Sequence, residues 1–168
     1  MRHKESDLQI RCVKWFRITY PAFARLLEHP KNEGHDNSYE DRRRTVIAKK
    51  EGVVAGVADL LLHVPSVVRV YEGESREVNV FVYHSLAIEM KTRTGRQSPE
   101  QKIFQRYFEA AGGLYIIVRS FDDFVAQVSD YMSHIPLVIR RDIEDLYNEI
   151  EREKTESARA ELKKIINK

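Results

Sequence analysis

The sequence predicts an α/β fold: a small mixed β-sheet flanked by helices, with a charged helical extension at its C-terminal end. Short apolar runs of strand length, at 58–64, 86–91 and 114–118, alternate with segments of helical period. Helix starts and stops are written into the chain, with Ser98-Pro99-Glu100-Gln101 and Ser120 as openings and Gly52 and Gly112-Gly113 as ends. A hydrophobic fraction of 42% with 32% charged residues over 168 positions fits one well-solvated domain with a substantial core.

Residues 5 to about 20 form the first predicted helix. Leu8, Cys12 and Phe16 lie on one stripe, flanked by Val13 and Trp15. Glu5 and Gln9 share that stripe, so Glu5 is either an acid in a first helical turn or a buried-side group that needs a partner. Pro21 closes the helix, and Phe23 to His29 is a short strand or a further helical turn. A second helix is expected from Ser38, with Asp41 at the capping-box position, to Glu51. Ala58 to Val64 is strand-like. Residues 65–80 read as an insertion, with Val67–Tyr71 and Glu77–Tyr83 pairing as a hairpin around Glu72-Gly73-Glu74. Leu86–Lys91 is the next strand. Ser98 then caps a helix whose expected inward residues are Ile103, Phe104, Tyr107, Phe108 and Ala111. Leu114–Val118 is a strand, and Ser120 caps a helix to about Met132. Residues 139 to 168 form a helix with eight basic and eight acidic residues, whose apolar stripe could pack on the body or on a second subunit.

A net charge of +2 neither demands nor excludes nucleic acid, so the placement of charge matters more. Lys91, Arg93, Arg96, Lys102 and Arg106 stand against the single acid Glu100 in one stretch, and Arg42, Arg43, Arg44, Lys49 and Lys50 form a second basic group. Local basic patches fit a phosphate-binding face. Cys12 is the only cysteine, which leaves no intramolecular disulfide and no cysteine-based zinc site. With no signal-like N-terminus and no apolar run of membrane length, a cytoplasmic, intracellular setting without membrane contact is expected. His29, His63 and His84 match no zinc spacing and read as surface or satisfied core residues.

Chemistry concentrates in 83–101, YHSLAIEMKTRTGRQSPEQ. Side chains two apart on a strand share a face, which puts Glu89 and Lys91 together and Ile88 and Met90 on the opposite side. The pair is either an exposed ion pair of small energetic weight or part of a metal site. Asp59, entering an earlier apolar strand, supplies a second carboxylate. Gln101 faces the sheet from the first helical turn, where a capping-box role competes with a role in the site.

Gly56-Val57-Ala58-Asp59-Leu60, Leu86-Ala87-Ile88-Glu89-Met90-Lys91, Ser98-Pro99-Glu100-Gln101 and Val118-Arg119-Ser120 follow one another on the expected element types. This set resembles the PD-(D/E)xK nuclease superfamily, and more narrowly its VRR-NUC branch. Ala58 replaces the proline usual before the first acid, and Ser85 a common glycine; neither change removes a ligand or the lysine. The resemblance covers roughly Glu5 to Tyr131. It implies a restriction-endonuclease-like core over 1–135, with 136–168 a charged helical extension of the same domain. It further implies a magnesium- or manganese-dependent deoxyribonuclease, acting as an endonuclease on junctions, flaps or nicked duplex DNA in phage or bacterial repair or recombination. Asp59, Glu89 and the Met90 carbonyl would hold the metal, with Lys91 and Gln101 beside the water or phosphate. Glu5 and Gln9 match an E-x-x-x-Q pattern on the family's first helix, giving Glu5 an outer metal-water contact. Asn32 matches a loop asparagine, and Arg93, Arg96 and Lys102 would contact the nucleic-acid backbone. A homodimer is implied if two strands are cut symmetrically. The rival expectation is a catalytically idle nuclease fold that binds nucleic acid or assembles through its long helix.

Overall fold

The structure is a computed structural model that describes residues 2–30, 46–48, 50–71 and 78–166. Helix α1 (Arg2–Thr19) buries Cys12 and Phe16 completely, as the stripe requires, and begins three residues earlier than its spacing predicts. Burial pushes the Cys12 thiol up to about 11, so it is an inert core residue. Pro21 opens a 3-10 helix (Pro21–Leu26) that passes directly into strand β1 (Leu27–Glu28), so both alternatives for this stretch occur in succession. The start of the helix expected from Ser38, and Asn32, lie outside the described residues. Its end is as predicted: Val46–Ala48 and Lys50 are helical. Gly52 stops the helix at φ +96°, with the Val53 amide donating to the Ala48 carbonyl at 2.9 Å.

The remaining strands are β2 (Leu60–Leu62), β3 (Ser66–Tyr71), β4 (Val78–Tyr83), β5 (Leu86–Met90) and β6 (Leu114–Val118). Three of them join β1 in a mixed sheet of order β1-β2-β5-β6, antiparallel except for the parallel β5–β6 pair. Strands β3 and β4 form a separate antiparallel pair, the two arms of the predicted hairpin, whose expected turn at Glu72-Gly73-Glu74 lies outside the described residues. Its base is tied to the body by the Val67 amide, which donates to the His134 carbonyl at 2.9 Å, and by the buried Ser66 hydroxyl on the Tyr131 carbonyl at 3.0 Å. Strand β2 is shorter than the apolar run 58–64 suggests. The Met90 amide bonds the Asp59 carboxylate in place of a backbone carbonyl, so the ladder ends at Leu60.

Strand alternation divides the core between the two faces of the sheet. Leu60, Leu62, Leu86, Ile88, Met90 and Val118 face α1 and α3 (Phe121–Ser133) and join Phe16, Phe124, Val128 and Met132. Each such buried side chain contributes roughly 1.5–3 kcal/mol. Trp15 stands edge-on to Tyr20, Phe121 and Phe124, and so joins α1 to α3. On the opposite face Ala58, Ala87 and Tyr115 form a smaller cluster with Leu61 and Ile117, covered by Phe104 and Phe108 of α2 (Pro99–Ala110). Ile103 and Tyr107, expected inward, are 56% and 76% exposed. Gln101, Phe104 and Phe108 suffice to cover so narrow a sheet, and the neighbouring row turns outward.

Helix α4 (Leu137–Ile166) packs its first turns through Ile139 and Ile143, and the Arg140 guanidinium caps the end of α3 at the Met132 carbonyl. Residues 152–165 are exposed throughout. No helix among the described residues is long and apolar enough to cross a membrane.

Candidate active site

Asp59 and Glu89 are brought together by strand register. Leu60 pairs with Ile88, and the next step of that register sets Asp59 opposite Glu89, on the face covered by α2. The Met90 amide donates to Asp59 Oδ2 at 2.7 Å. Amide and carbonyl of one strand residue point to the same side, so the Met90 carbonyl is directed toward Asp59 as well.

Glu89 is fully buried, and both carboxylate oxygens are engaged. Lys91 Nζ donates to Oε1 at 2.6 Å and Gln101 Nε2 donates to the same oxygen at 2.5 Å, while the Tyr115 hydroxyl donates to Oε2 at 2.9 Å. The ion pair is therefore no surface feature: the lysine side chain is only 12% exposed. Gln101 serves both roles that compete in the sequence. Its Oε1 accepts from the Ser98 amide at 2.9 Å, completing a capping box, and its Nε2 is left to reach Glu89.

The start of α2 is held against the Asp59 loop by Gly56. This residue sits at φ +77°, and a Cβ there would lie 2.4 Å from the Glu100 carbonyl carbon and 2.6 Å from the Gln101 nitrogen. Only glycine permits both the left-handed backbone and the close approach.

Glu5 and Arg119 organise the loop after β5. Glu5 Oε1 accepts from the Thr92 amide at 2.8 Å, so the glutamate is neither a solvated helix-end acid nor remote from the site. Arg119 Nη1 donates to the Thr92 and Gly95 carbonyls at 2.7 and 2.9 Å. Arg93 and Arg96 extend outward from this loop, and Lys102 from the first turn of α2; all three are exposed.

Three contributors are not visible in the residue patterns. His29, read as a scattered histidine, places Nδ1 2.6 Å from the Asp59 carbonyl and 3.1 Å from Gln9 Nε2. It arrives there because β1 pairs with β2, a neighbour relation that no local motif encodes. Tyr115 sits in an ordinary apolar run, and Arg119 in a strand-end motif that gives no hint of a loop clamp. The one available signal for Tyr115 was its polar tip in an otherwise aliphatic strand, since a buried hydroxyl needs a partner.

The electrostatics of the pair are strained. Burial pushes the Asp59 carboxyl above its ordinary range; Glu5 adds to this, while the Met90 amide, Lys91 and His29 oppose it. Burial raises Glu89 too, and the Asp59 charge raises it further, against the hydrogen bonds from Lys91 and Tyr115. Two carboxylates thus share one ammonium in a desolvated site. A divalent cation would relieve that imbalance, and hard carboxylate and carbonyl oxygens suit magnesium or manganese. Among the described residues no three His, Cys, Asp or Glu side chains converge into a closed cage. That is compatible with an ion that keeps several of its own waters.

The sequence matches no protein-family profile and no curated protein. Among solved structures, the fold is similar to that of a VRR_NUC domain protein. The TM-score is 0.57 and the sequence identity 18%, with 77% of this chain and 88% of that one covered. At that identity the likeness establishes architecture: the chain has the α/β fold of a VRR-NUC domain, a small mixed sheet between helices, and carries a long C-terminal helix.

Proposed function

We propose that this chain is a metal-dependent nuclease that hydrolyses phosphodiester bonds, as an endonuclease on structured DNA such as a junction, flap or nicked duplex. The observation that carries the reading is the convergence of Asp59, Glu89, Lys91 and Gln101 from three separate elements onto one desolvated point. Asp59, Glu89 and the Met90 carbonyl would hold magnesium or manganese, which when bound polarises the phosphate and makes water a stronger nucleophile.

The chain's own groups divide the remaining work. Lys91, held beside Glu89, supplies a fixed positive charge where negative charge develops on the phosphate oxygens. Gln101 keeps its amide nitrogen on the site while its oxygen caps α2, and the N-terminal end of that helix favours the phosphate. Glu5 and Arg119 hold the 92–95 loop through its Thr92 amide and its Thr92 and Gly95 carbonyls. Arg93, Arg96 and Lys102 then meet the nucleic-acid backbone, contacts that position a substrate without reading its sequence.

The test is cleavage of labelled single-stranded, duplex, flap and four-way-junction DNA with magnesium, manganese or EDTA. Wild type is compared with Asp59→Ala and Lys91→Ala. Metal-dependent cutting lost in both variants is the expected result. Binding with no cutting of any substrate overturns the proposal and leaves an idle nuclease fold.

A further inference from the structure

We infer that the outer face of α2 is a stacking platform for unpaired nucleic-acid bases, with Tyr107 as its aromatic surface and Ile103 beside it. This inference rests on the nuclease reading above and names the feature of a structured substrate that the chain grips.

Pro99, Ile103, Arg106, Tyr107 and Ala110 recur at helical spacing on the side of α2 turned away from the sheet. All five are exposed, Ile103 at 56% and Tyr107 at 76%. Ile103, Arg106, Tyr107 and Ala110 together wall a surface depression. One exposed apolar side chain is ordinary. A tyrosine and an isoleucine one turn apart, with an arginine between them in a concave surface, offer what a base takes up: a ring to stack on and a cation beside it.

Charge selects the occupant. Lys102 and Arg106, one turn apart and both exposed, line one edge of the stripe, and the exposed Arg93 and Arg96 continue it past the start of the helix. The acids of α2 stand off the stripe: Glu109 accepts from Gln105 Nε2 at 2.9 Å, and Glu100 lies on the far edge. A basic edge that continues from the candidate site suits a polyanion. An isologous contact with a second copy would instead bring that same edge against the same patch.

Position sets which part of the substrate arrives. Helix α2 joins the parallel strands β5 and β6, so it runs back along the sheet from the site at its first turn. Tyr107 lies about 9 Å along the axis from Gln101, the length of about three stacked nucleotides. A single strand leaving the site along the outside of α2 meets the ring within its first few nucleotides. Bases inside an intact duplex are stacked on one another and have no free face for it.

The experiment measures binding of the full-length chain, in EDTA, to fluorescein-labelled oligothymidine, to a duplex with a single-stranded flap and to a blunt duplex. Wild type is compared with Tyr107→Ala and Tyr107→Phe; the side chain is mostly in solvent, and matching urea midpoints check that both variants fold. Tyr107→Ala is expected to bind the single strand and the flap about tenfold more weakly, the loss of one base stack, with blunt-duplex affinity unchanged. Tyr107→Phe keeps the ring and should bind as wild type does. A flap carrying 2-aminopurine should lose fluorescence on binding wild type and Tyr107→Phe but not Tyr107→Ala. Equal losses on all three probes overturn the inference, since stacking on unpaired bases spares the duplex. So does a wild-type dimer that Tyr107→Ala converts to monomer with DNA binding unchanged, which makes this face a subunit interface. If wild type cuts DNA and Tyr107→Ala binds every probe equally well, the inference fails and the nuclease reading stands. If wild type neither binds nor cuts any of them, the nuclease reading fails and this inference with it.

Discussion

Gly56→Ala is the substitution whose cost can be worked most directly from the structure. Two penalties add at this position. A non-glycine residue at φ +77° pays for a left-handed backbone, about 1–2 kcal/mol. The new methyl would also sit 2.4, 2.5 and 2.6 Å from the Glu100 carbon, the Glu100 oxygen and the Gln101 nitrogen. These are backbone atoms at the start of a capped helix and have no rotamer into which to retreat. Overpacking of this kind costs about 1–3 kcal/mol, giving a total of roughly 2–5 kcal/mol. Gly52→Ala is the internal control. That glycine also has a positive φ, +96°, but a methyl there meets nothing within 4 Å, so only the backbone penalty applies. Urea unfolding of both variants separates the contributions, and Gly56→Ala should be the less stable by about 1–3 kcal/mol. Its cleavage should fall as well, because relief of the clash moves α2, and Gln101 with it, away from Asp59. Equal losses of stability in the two variants would refute the claim that the Asp59 loop and α2 are locked at Gly56.

Gln101→Glu tests which of that residue's two contacts dominates. A glutamate keeps the capping acceptor but faces Glu89 with a like charge, so a loss of about 1–3 kcal/mol in urea unfolding is expected, where a pure cap would tolerate the change. Asp59→Asn should abolish cleavage yet stabilise the metal-free protein by about 1 kcal/mol, read as a higher melting temperature, because it removes one of two crowded carboxylates. The pH dependence follows from the same crowding. The folded-state values of Asp59 and Glu89 lie above their ordinary ones, so the native protein holds protons that the unfolded chain has released. Metal-free stability therefore falls as pH rises from the ordinary carboxylate range through the raised values, and thermal melts should show a shallower fall for Asp59→Asn than for wild type. Arg119→Ala should cost about 1 kcal/mol in stability and speed amide exchange in 92–95, leaving exchange in the strands unchanged.

Much of this architecture was legible because its signals are local. Ser98-Pro99-Glu100-Gln101 sets a helix start through the geometry of four consecutive residues, and the structure has that capping box in full. The alternation around Glu89 correctly sent Ile88 and Met90 to one side and Glu89 with Lys91 to the other. What the sequence hid is long-range. His29 reaches the Asp59 carbonyl from thirty residues away and Tyr115 reaches Glu89 from twenty-six, through strand pairings that hydrophobic period does not specify. The outward turn of Ile103 and Tyr107 was misread for a related reason: period gives the direction of an apolar face but not the width of the sheet it must cover.

Glu89 and Lys91 alone could be explained as a buried structural ion pair, and the case against that explanation lies in Asp59. A structural pair balances its charges and satisfies its hydrogen bonds, since any remainder is costly in a desolvated site. Here one ammonium at 2.6 Å serves a carboxylate that already receives Gln101 and Tyr115, while a second carboxylate sits close enough to raise the first. Glu5 adds to the same excess from α1. Replacing Asp59 by asparagine would preserve an acceptor for the Met90 amide and remove the repulsion, so stability alone gives no reason for an acid at this position. An excess of negative charge built by three elements around the one ammonium among the described residues there is what a bound divalent cation would balance. It is also what a purely structural core would avoid.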